Sequence, residues 1–258
     1  MTNKLRTLGK MISLIENYPI YLKDYFGLKK GKYLIYKLRN GVKYRVRGGA
    51  TDRFIINEIC LHNSYTPEGF EIQEDDIVVD IGAHIGIFTI LASRHAKKGK
   101  VYAFEPVSHN FELLKENISL NAANNVIAIE KAVSNKSGKM KLFISRSRNK
   151  GQNSMHRLDK YQIEIEVEKM SFKDFLKKLP KIDFLKMDCE GAEYEILMNL
   201  TKKELSKIKK ISMEYHNYGE KKGKDLAKFL KENGFKVILK EKNFLFGHIY
   251  AMSEEEVK

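Results

Sequence analysis

The sequence predicts an α/β fold, in which a mostly parallel sheet is covered by helices on both faces. From residue 77 onward, short apolar segments alternate with amphipathic ones in the order strand, helix, strand, helix, strand. Parallel neighbouring strands need a crossover connection, which is usually a helix, so this alternation indicates a parallel sheet. With 258 residues, 43% of them hydrophobic, the chain can bury a sizeable core.

The N-terminal part follows a different pattern. Apolar residues at three- and four-residue spacing predict a helix from residue 4 to about residue 26. The segment YLIYKLRNGVKYRVRG alternates on either side of Asn40 and Gly41, which predicts a β-hairpin. Residues 51–62 predict a further helix, capped by Thr51 or Asp52.

The pattern changes near residue 72. We therefore predict an N-terminal helical and hairpin cap, residues 1–72, followed by an α/β domain, residues 73–258. We expect the cap and the polar loop 145–157 to lie over the carboxyl end of the sheet, where they would influence the choice of substrate.

The α/β domain divides into elements in chain order. Its first half contains the strand IVVDIG, the helix HIGIFTILASRHA, the strand KVYAFEP, a helix with Phe111, Leu114 and Ile118 on one face, and the strand VIAIEKAV. Two β-like pieces, KMKLFIS and IEIEVEK, then interrupt the alternation around the loop RSRNKGQNSMHR. The second half contains the helix SFKDFLKKL, the strand IDFLKMD, the helix AEYEILMNL, the strand KKISMEYH, the helix GKDLAKFLKENGF and the strands KVILKE and HIYAMS.

Charge and cysteine content limit the classes of protein. The chain has 47 Lys and Arg against 33 Asp and Glu, a net charge of +14, which can attract nucleic acid, anionic lipid or acidic glycans. The basic residues are scattered, which favours a general role in solubility. Cys60 and Cys189 lie outside any metal-ligand spacing, which argues against a zinc site and suits the cytoplasm. The amphipathic start could touch a membrane surface peripherally, but we expect it to pack on the domain.

A glycine-rich turn follows the first α/β strand. That strand ends in Asp80, and Gly82 and Gly86 follow it. Glycine lets the backbone approach a ligand, and a helix N-terminus favours an anionic group. A dinucleotide fingerprint would need glycine also at His84 and Ile87, so no pyrophosphate site is predicted. The spacing suits a smaller ligand with a carboxylate at the helix start and an ammonium group near Asp80.

A carboxylate also ends the second strand. Glu105 lies 25 residues after Asp80, where its oxygens can accept hydrogen bonds from the hydroxyls of a ribose, and Pro106 then turns the chain. A nucleoside joined to an amino acid is S-adenosylmethionine. Together the two strand ends predict S-adenosylmethionine as the cofactor.

Several ordered motifs resemble those of one family. DIGAHIGIFT, FEPVSHNFELLKENISLN, AVSNKSG, the Ser of GQNS and IDFLKMDCEGAEYEIL resemble the FkbM-type S-adenosylmethionine-dependent methyltransferases over about residues 77–235, and RGGATDRFIINEI is similar to the lead-in of many members. The resemblance implies a class I, Rossmann-like sheet of seven strands with the last strand antiparallel. It implies O-methylation of a small-molecule or glycan acceptor, often a sugar hydroxyl.

The resemblance also implies which residues bind the cofactor. The family usually has Asn at the position of His84, which is the one departure. The implied contacts are Asp80, Gly82, Ala83, His84, Gly86, Glu105, Pro106 and Ala132.

An unusual concentration of charge follows the fourth strand of the sheet. Asp188 lies at the edge where open α/β sheets bind ligands, Lys186 points to the same side of the strand, and Glu190 follows at the start of the next helix. A sugar hydroxyl attacks a methyl group efficiently only when a base or a metal takes its proton. The predicted catalytic residues are therefore Asp188, Glu190, Lys186 and, at the end of the fifth strand, Glu214 and His216.

Structural alternatives compete with these catalytic roles. Lys186 and Asp188 could form a structural ion pair, Glu193 could be a helix-capping acid, and Cys189 could be a small buried residue rather than a nucleophile. We predict no metal and expect base catalysis, although a divalent ion held by Asp188, Glu190 and either Glu214 or His216 is the alternative.

Two other classes of function are less well supported. Amino-group methylation of bases usually relies on adjacent prolines after the fourth strand, and no two of the four prolines here are adjacent. We therefore do not expect nucleic acid as the acceptor. A non-catalytic module that binds S-adenosylmethionine would not need acids at the ends of both the fourth and the fifth strand.

Overall fold

The computed structural model describes residues 2–29, 33–145, 153–154 and 162–257. The strands, in chain order, are β1 (Tyr33–Lys37), β2 (Lys43–Arg47), β3 (Ile77–Ile81), β4 (Lys100–Phe104), β5 (Val126–Ile129), β6 (Ala132–Ser134), β7 (Gly138–Ser145), β8 (Asn153–Ser154), β9 (Gln162–Ser171), β10 (Ile182–Met187), β11 (Ile208–His216), β12 (Phe235–Glu241) and β13 (Phe246–Ser253).

The helices lie between and before these strands. They are α1 (Thr2–Leu14), α2 (Tyr18–Tyr25), α3 (Asp52–Ile56), α4 (Ile87–His95), α5 (Ser108–Leu120), α6 (Phe172–Lys177), α7 (Glu193–Leu197), α8 (Lys202–Leu205) and α9 (Gly223–Glu232). A π-helical turn, Asn57–Leu61, continues α3, and a 3₁₀ turn, Glu254–Val257, follows β13. Within the described ranges, no helix has both the length and the apolar composition to cross a membrane.

Seven strands form the central sheet, in the order β12-β13-β11-β10-β3-β4-β5. The last strand, β13, is antiparallel to both its neighbours, and the other pairs along the sheet are parallel. This confirms the predicted seven-stranded, mostly parallel sheet with helices on both faces. The chain order reverses between β3 and β10, and ligands of open α/β sheets bind at such a switch point, beside the carboxyl ends of the strands.

The N-terminal helix is shorter than predicted and a second helix follows it. The break falls at Asn17, whose side chain donates to Ile35 O at 2.9 Å and accepts from Lys37 N at 2.8 Å, so it pairs with the edge of β1. Pro19 lies in the first turn of α2, the position where its missing N–H costs no hydrogen bond. The predicted hairpin around Asn40 and Gly41 is confirmed by the antiparallel pairing of β1 with β2.

The N-terminal residues share a core with one face of the central sheet. Met11, Tyr21 and Tyr36 belong to the same buried cluster as Phe88 of α4 and Phe184 of β10. The opposite face of the sheet is covered by α6, α7 and α9, whose apolar residues form a second large cluster. The N-terminal part therefore packs directly on this face of the sheet. The domain boundary predicted between residues 1–72 and 73–258 stays a prediction.

A second sheet accounts for the interruption seen in the sequence. The segment VIAIEKAV is divided between β5 of the central sheet and β6, and β6 joins β9, β7 and β8 in a four-stranded sheet. KMKLFIS and IEIEVEK pair as the antiparallel strands β7 and β9. Most of the loop between them lies outside the described residues, so the prediction that it covers the carboxyl end of the sheet remains a prediction.

Candidate active site

The turn between β3 and α4 has a left-handed backbone at three positions. Gly82, His84 and Gly86 have φ angles of 77°, 53° and 87°. A Cβ on Gly82 would overlap the backbone carbonyl of Asp188, and a Cβ on Gly86 would lie 2.5 Å from the side chain of Leu114. Glycine is therefore required at position 82 because it lets the ends of β3 and β10 meet, and at position 86 the positive φ favours glycine.

Glu105 presents a buried carboxylate just after β4. Its side chain accepts hydrogen bonds from the backbone N of His84 at 2.8 Å, from the backbone N of Val107 at 3.0 Å and from Nδ2 of Asn110 at 3.2 Å. Burial raises the pKa of Glu105 although these donors favour the charged form. Three of about four acceptor positions of the carboxylate are used, so Oε2 can still accept a hydrogen bond from a ligand.

One cavity joins this carboxylate to the acidic residues after β10. Its walls include the apolar side chains of Ile87, Phe104, Val133, Met140 and Leu142. The predicted site residues that line it are Gly82, Ala83, His84, Glu105, Pro106, Ala132, Lys186, Asp188 and Glu190. Of the other predicted site residues, all within the described part of the chain, Asp80, Gly86, Glu214 and His216 do not line it.

Asp80 is placed differently from the expectation that it faces an ammonium group of the ligand. It is fully buried, Oδ1 lies 3.0 Å from Lys186 Nζ, and Oδ2 accepts from Thr89 Oγ1 at 2.6 Å. Lys186 also donates to Gly82 O at 2.7 Å. Burial alone would lower the pKa of Lys186, but the charges of Asp80 and Asp188 outweigh it and raise that pKa. The buried ion pair of Lys186 is therefore with Asp80, and not with Asp188 as the sequence suggested.

Asp188 lies at the end of β10 and faces the cavity. Its Oδ2 accepts a hydrogen bond from the hydroxyl of Tyr65 at 2.9 Å. Burial and the nearby charge of Glu214 raise the pKa of Asp188. Lys186 and the hydrogen bond from Tyr65 have the opposite effect but are weaker, so the pKa is raised overall. A carboxylate with a raised pKa is a stronger base than one in water, which suits removal of a proton from a hydroxyl.

Three glutamates surround His216. Its Nδ1 lies 3.3 Å from Glu193, and its Nε2 lies 3.4 Å from Glu190 and 3.3 Å from Glu214. Burial alone would lower the pKa of His216, but Glu193 and Glu214 raise it to about 11. Because both ring nitrogens face carboxylate oxygens, the ring is an imidazolium that balances the cluster. Burial raises the pKa of Glu190 to about 8.

The structure also bears on the alternative roles of Glu193, as a helix-capping acid, and of Cys189, as a small buried residue. Glu193 accepts from the backbone N of Cys189 and of Gly191, both at 3.3 Å, as a helix-capping acid does. The pKa of Cys189 is raised well above its usual value by burial and by Glu193. A protonated thiol is a poor nucleophile, so the structure favours the interpretation of Cys189 as a small packed residue.

Two residues that the sequence did not indicate, Tyr65 and His248, connect the N-terminal part to the acidic cluster. Tyr65, which binds Asp188, stacks on His248 with ring centroids 5.5 Å apart. His248 Nε2 lies 3.0 Å from Glu214 Oε2, and its Nδ1 lies 3.0 Å from the hydroxyl of Tyr250. The pKa of Glu214 is lowered, because hydrogen bonds from His216 and His248 outweigh its burial. Tyr65 occurs in a loop and His248 in the buried strand β13, so neither stands out in the sequence pattern.

Two groups of side chains could hold a divalent ion. Within the part of the chain that the structure describes, Asp188, Glu214 and His216 form one group and Glu58, Glu214 and His248 the other, with ligand atoms within 4.8 Å of one another. Carboxylates and imidazole suit Mg²⁺, Mn²⁺ and Zn²⁺ to different degrees. The protein's own cations already face these carboxylates, since His216 contacts Glu214 and Lys242 Nζ lies 2.7 Å from Glu58.

The site fits the cofactor that the sequence predicts. The left-handed glycine turn after β3, the buried carboxylate of Glu105 with acceptor capacity and the apolar walls next to it suit an amino acid, a ribose and an adenine in turn. The sheet order and this site define a class I S-adenosylmethionine-dependent methyltransferase.

Residues 80–237 match the family model described as the methyltransferase FkbM domain. This stretch is more than half of the chain, and the protein therefore belongs to the FkbM methyltransferase family. The predictions of the family and of S-adenosylmethionine as the cofactor are confirmed.

Three relatives illustrate the range of the family. The chain is 25% identical over 193 residues to methyltransferase sdnD of Sordaria araneosa, covering 63% of this chain and 74% of that protein. It is 29% identical over 164 residues to the hexuronic acid methyltransferase AglP of Haloferax volcanii, covering 63% and 64%. It is 32% identical over 81 residues to the 31-O-demethyl-FK506 methyltransferase FkbM of Streptomyces tacrolimicus, covering 31% of each protein.

Proposed function

We propose that this methyltransferase acts on oxygen, and that its acceptor is the hydroxyl group of a sugar or glycan. The observation that carries the proposal is the position of Asp188, whose carboxylate lines the same cavity as Glu105 and has a pKa raised by burial and by Glu214. An alcohol needs a base to accept its proton during attack, whereas an amine does not need a base of this strength. The names of two relatives, one acting on a hexuronic acid and one on an oxygen of FK506, are in keeping with it.

The residues of the cavity divide into two groups with different proposed roles. S-adenosylmethionine supplies a methyl group on a positively charged sulfur, which becomes a neutral thioether when the methyl leaves. Glu105 binds the ribose and the turn at Gly82 binds the amino-acid part. Asp188 accepts the proton of the acceptor hydroxyl as the new carbon–oxygen bond forms, and Glu190 and Lys186 set the charge around it. In this proposal Asp80 does not contact the cofactor and instead orients Lys186 through their buried ion pair.

The N-terminal part supplies the acceptor side of the cavity in this proposal. Ile55, Glu58, Ile59 and Tyr65 of the N-terminal part line the cavity. This supports the expectation that the N-terminal cap takes part in choosing the acceptor. Apolar side chains with a few polar groups among them are typical of a small-molecule site.

RNA is the second candidate acceptor, because the net charge is +14. Several lysines on the surface are already paired, among them Lys98 with Glu74, Lys139 with Glu166 and Lys141 with Glu164, each at 2.7 or 2.8 Å. Such paired lysines attract phosphate less strongly than unpaired ones. Sugar hydroxyls therefore remain the favoured acceptor class.

A turnover assay tests the proposal. Uronic-acid glycosides, neutral glycosides and RNA are offered with S-adenosylmethionine, and methyl transfer is followed by mass. We expect transfer to a glycoside, and we expect Asp188→Asn to lower kcat by about a hundredfold or more while S-adenosylhomocysteine affinity changes far less. The matched control is Asp174→Asn, because Asp174 is an exposed carboxylate on α6. Methylation of RNA alone, or of a nitrogen atom, would reject the proposal.

A further inference from the structure

Arg47, at the end of β2, lies before the family match but contacts His84 and Asn110, two residues that line the cavity. Its side chain is almost fully buried. Nε and Nη2 donate to the carboxylate of Asp52 at 3.0 and 2.8 Å. Nη1 donates to Asn110 Oδ1 at 2.8 Å, and Nη2 lies 2.8 Å from His84 Nε2. Because a guanidinium only donates, His84 Nε2 is the acceptor of this contact.

Besides Asp52, the Arg47 side chain contacts Asn110 and His84, and both of these residues donate hydrogen bonds to Glu105. Asn110 Nδ2 donates to Oε1 of Glu105, and the backbone N of His84 donates to Oε2. His84 has a φ of 53°, in the left-handed region that residues with a side chain rarely adopt. A conformation of this kind persists only where the surroundings hold it in place, and the contact with Arg47 does so.

We propose that Arg47 is a positioning residue for cofactor binding. It fixes the carboxylate of Glu105 toward the ribose through Asn110 and His84, and does not touch the cofactor itself. His84 and Asn110 line the cavity, whereas Arg47 and Asp52, which the structure also describes, do not. The inference rests on the proposed role of Glu105.

The chemistry of the site requires arginine rather than any cation. A guanidinium carries five donors in a rigid fork, so it can satisfy Asp52 on one side and Asn110 and His84 on the other. A lysine ammonium in its place could pair with Asp52 but could not reach all three partners. Asp52 is charged in this ion pair with Arg47. Burial would raise the pKa of Asp52, but the hydrogen bonds from Arg47 hold that pKa below its usual value. The stretch RGGATDRF, which contains both residues, thereby becomes part of the cofactor site.

The test compares two arginines of the same strand. Arg45 is two residues earlier in β2, where its side chain is 39% exposed and pairs with Glu116 at 3.0 Å. Calorimetry measures S-adenosylhomocysteine binding to Arg47→Lys and to Arg45→Lys. We expect affinity to fall at least about tenfold in Arg47→Lys, the loss of one well-made charged hydrogen bond, and to stay unchanged in Arg45→Lys. A folded Arg47→Lys protein with wild-type affinity would overturn the inference.

A kinetic measurement separates positioning from a general structural defect. In Arg47→Lys the KM for S-adenosylmethionine should rise while kcat changes much less, because the acceptor side of the cavity is untouched. If thermal unfolding shows that Arg47→Lys does not fold, the isosteric variant Asp52→Asn replaces it. Asp52→Asn keeps Arg47 but weakens its anchor, so affinity should fall at least about threefold. Wild-type affinity in folded Asp52→Asn would equally overturn the inference.

Glu105→Ala makes the two proposals distinguishable. If Glu105→Ala leaves S-adenosylhomocysteine affinity intact, the proposed role of Glu105 is wrong and the inference about Arg47 falls with it. If Glu105→Ala weakens binding but Arg47→Lys does not, only the inference about Arg47 is wrong.

Discussion

Lys186 and Asp80 form a buried ion pair between neighbouring strands of the central sheet, with Nζ 3.0 Å from Oδ1 and both side chains at most 4% exposed. The pair joins β10, which is followed by Asp188 and Glu190, to β3, which is followed by the glycine turn. Removal of one partner leaves an uncompensated charge in the interior. The relative position of the two halves of the site therefore depends on this contact.

Lys186→Met should lower the free energy of unfolding by about 3–5 kcal/mol, because Asp80 would remain buried without its partner. The double variant Lys186→Met with Asp80→Asn should recover part of this loss. Lys98→Met is the control, because Lys98 pairs with Glu74 at 2.8 Å on the surface and its loss should change stability by less than about 1 kcal/mol. Urea unfolding measures all three. Equal losses in Lys186→Met and Lys98→Met would show that the buried pair contributes no more than a surface one.

The extent of prediction from sequence differs between the fold and the site. The central sheet could be predicted because strands such as β3 and β10 are buried along almost their whole length and stand out as short, mostly apolar segments. Glu105 and Asp188 could be predicted because each directly follows such a strand.

The partners of these residues could not be predicted in the same way. Asp80 was expected to face the ligand, but its charge is taken up by Lys186, a residue of a strand far along the chain. Tyr65 and His248 reach the acidic cluster from segments outside the recognisable motifs, and local sequence does not specify contacts between distant segments. Arg47 lies in the segment RGGATDRFIINEI, which resembles the family's lead-in, so the sequence marked this segment. The contacts of Arg47 with Asn110 and His84 are visible only in the folded structure.

Stability should fall as the pH rises above neutrality. Between 6.5, the usual pKa of histidine, and about 11, the folded protein keeps a proton on His216 that the unfolded chain has released. The pKa of Glu190 is about 8 in the folded state against a usual 4.5, so between these two pH values the folded protein also keeps the proton of Glu190. This too lowers the stability as the pH rises. The unfolded state therefore binds fewer protons, and the free energy of unfolding decreases with pH.

Urea unfolding at pH 6.5 and pH 9 measures this effect. The expected loss is on the order of 1–3 kcal/mol. In His216→Gln the decline should flatten, whereas the control His62→Gln, at an exposed histidine, should keep the wild-type slope. A wild-type slope in His216→Gln would mean that other groups cause the decline.

Chelators should leave methyl transfer intact. The carboxylates of Glu190, Glu193 and Glu214 already face both nitrogens of His216, so an ion at Asp188, Glu214 and His216 would have to displace the imidazolium. We therefore expect wild-type turnover in EDTA and no increase on addition of Mg²⁺ or Mn²⁺. His216→Gln should then lower turnover through the charge of the cluster, independently of added metal. Activity that disappears in EDTA and returns with Mg²⁺ would instead establish a metal site, and base catalysis by Asp188 would need to be revised.

The contact between Tyr65 and Asp188 provides the sharpest test of the acceptor side. Tyr65→Phe removes the hydroxyl that donates to Oδ2 of Asp188 at 2.9 Å and leaves the ring in place. That hydrogen bond lowers the pKa of Asp188, so its loss raises the pKa further and leaves less of the carboxylate ionised at low pH. Turnover of Tyr65→Phe should fall by about tenfold near pH 6 and recover toward the wild-type value as the pH rises, because a general base must be ionised.

Tyr44→Phe is the matched control for this prediction. Tyr44 is also a buried tyrosine of the N-terminal part, but its hydroxyl donates to Ile87 O at 3.1 Å. This variant should keep the wild-type pH profile even if its stability decreases. Affinity for S-adenosylhomocysteine should be unchanged in Tyr65→Phe, because the Tyr65 hydroxyl donates to Asp188, whereas Glu105 is held by His84, Val107 and Asn110. If the pH profile of Tyr65→Phe matches that of the wild-type enzyme, then either Asp188 is not the base or Tyr65 does not influence it. In that case the large loss expected for Asp188→Asn decides between these two explanations, because it depends on Asp188 alone.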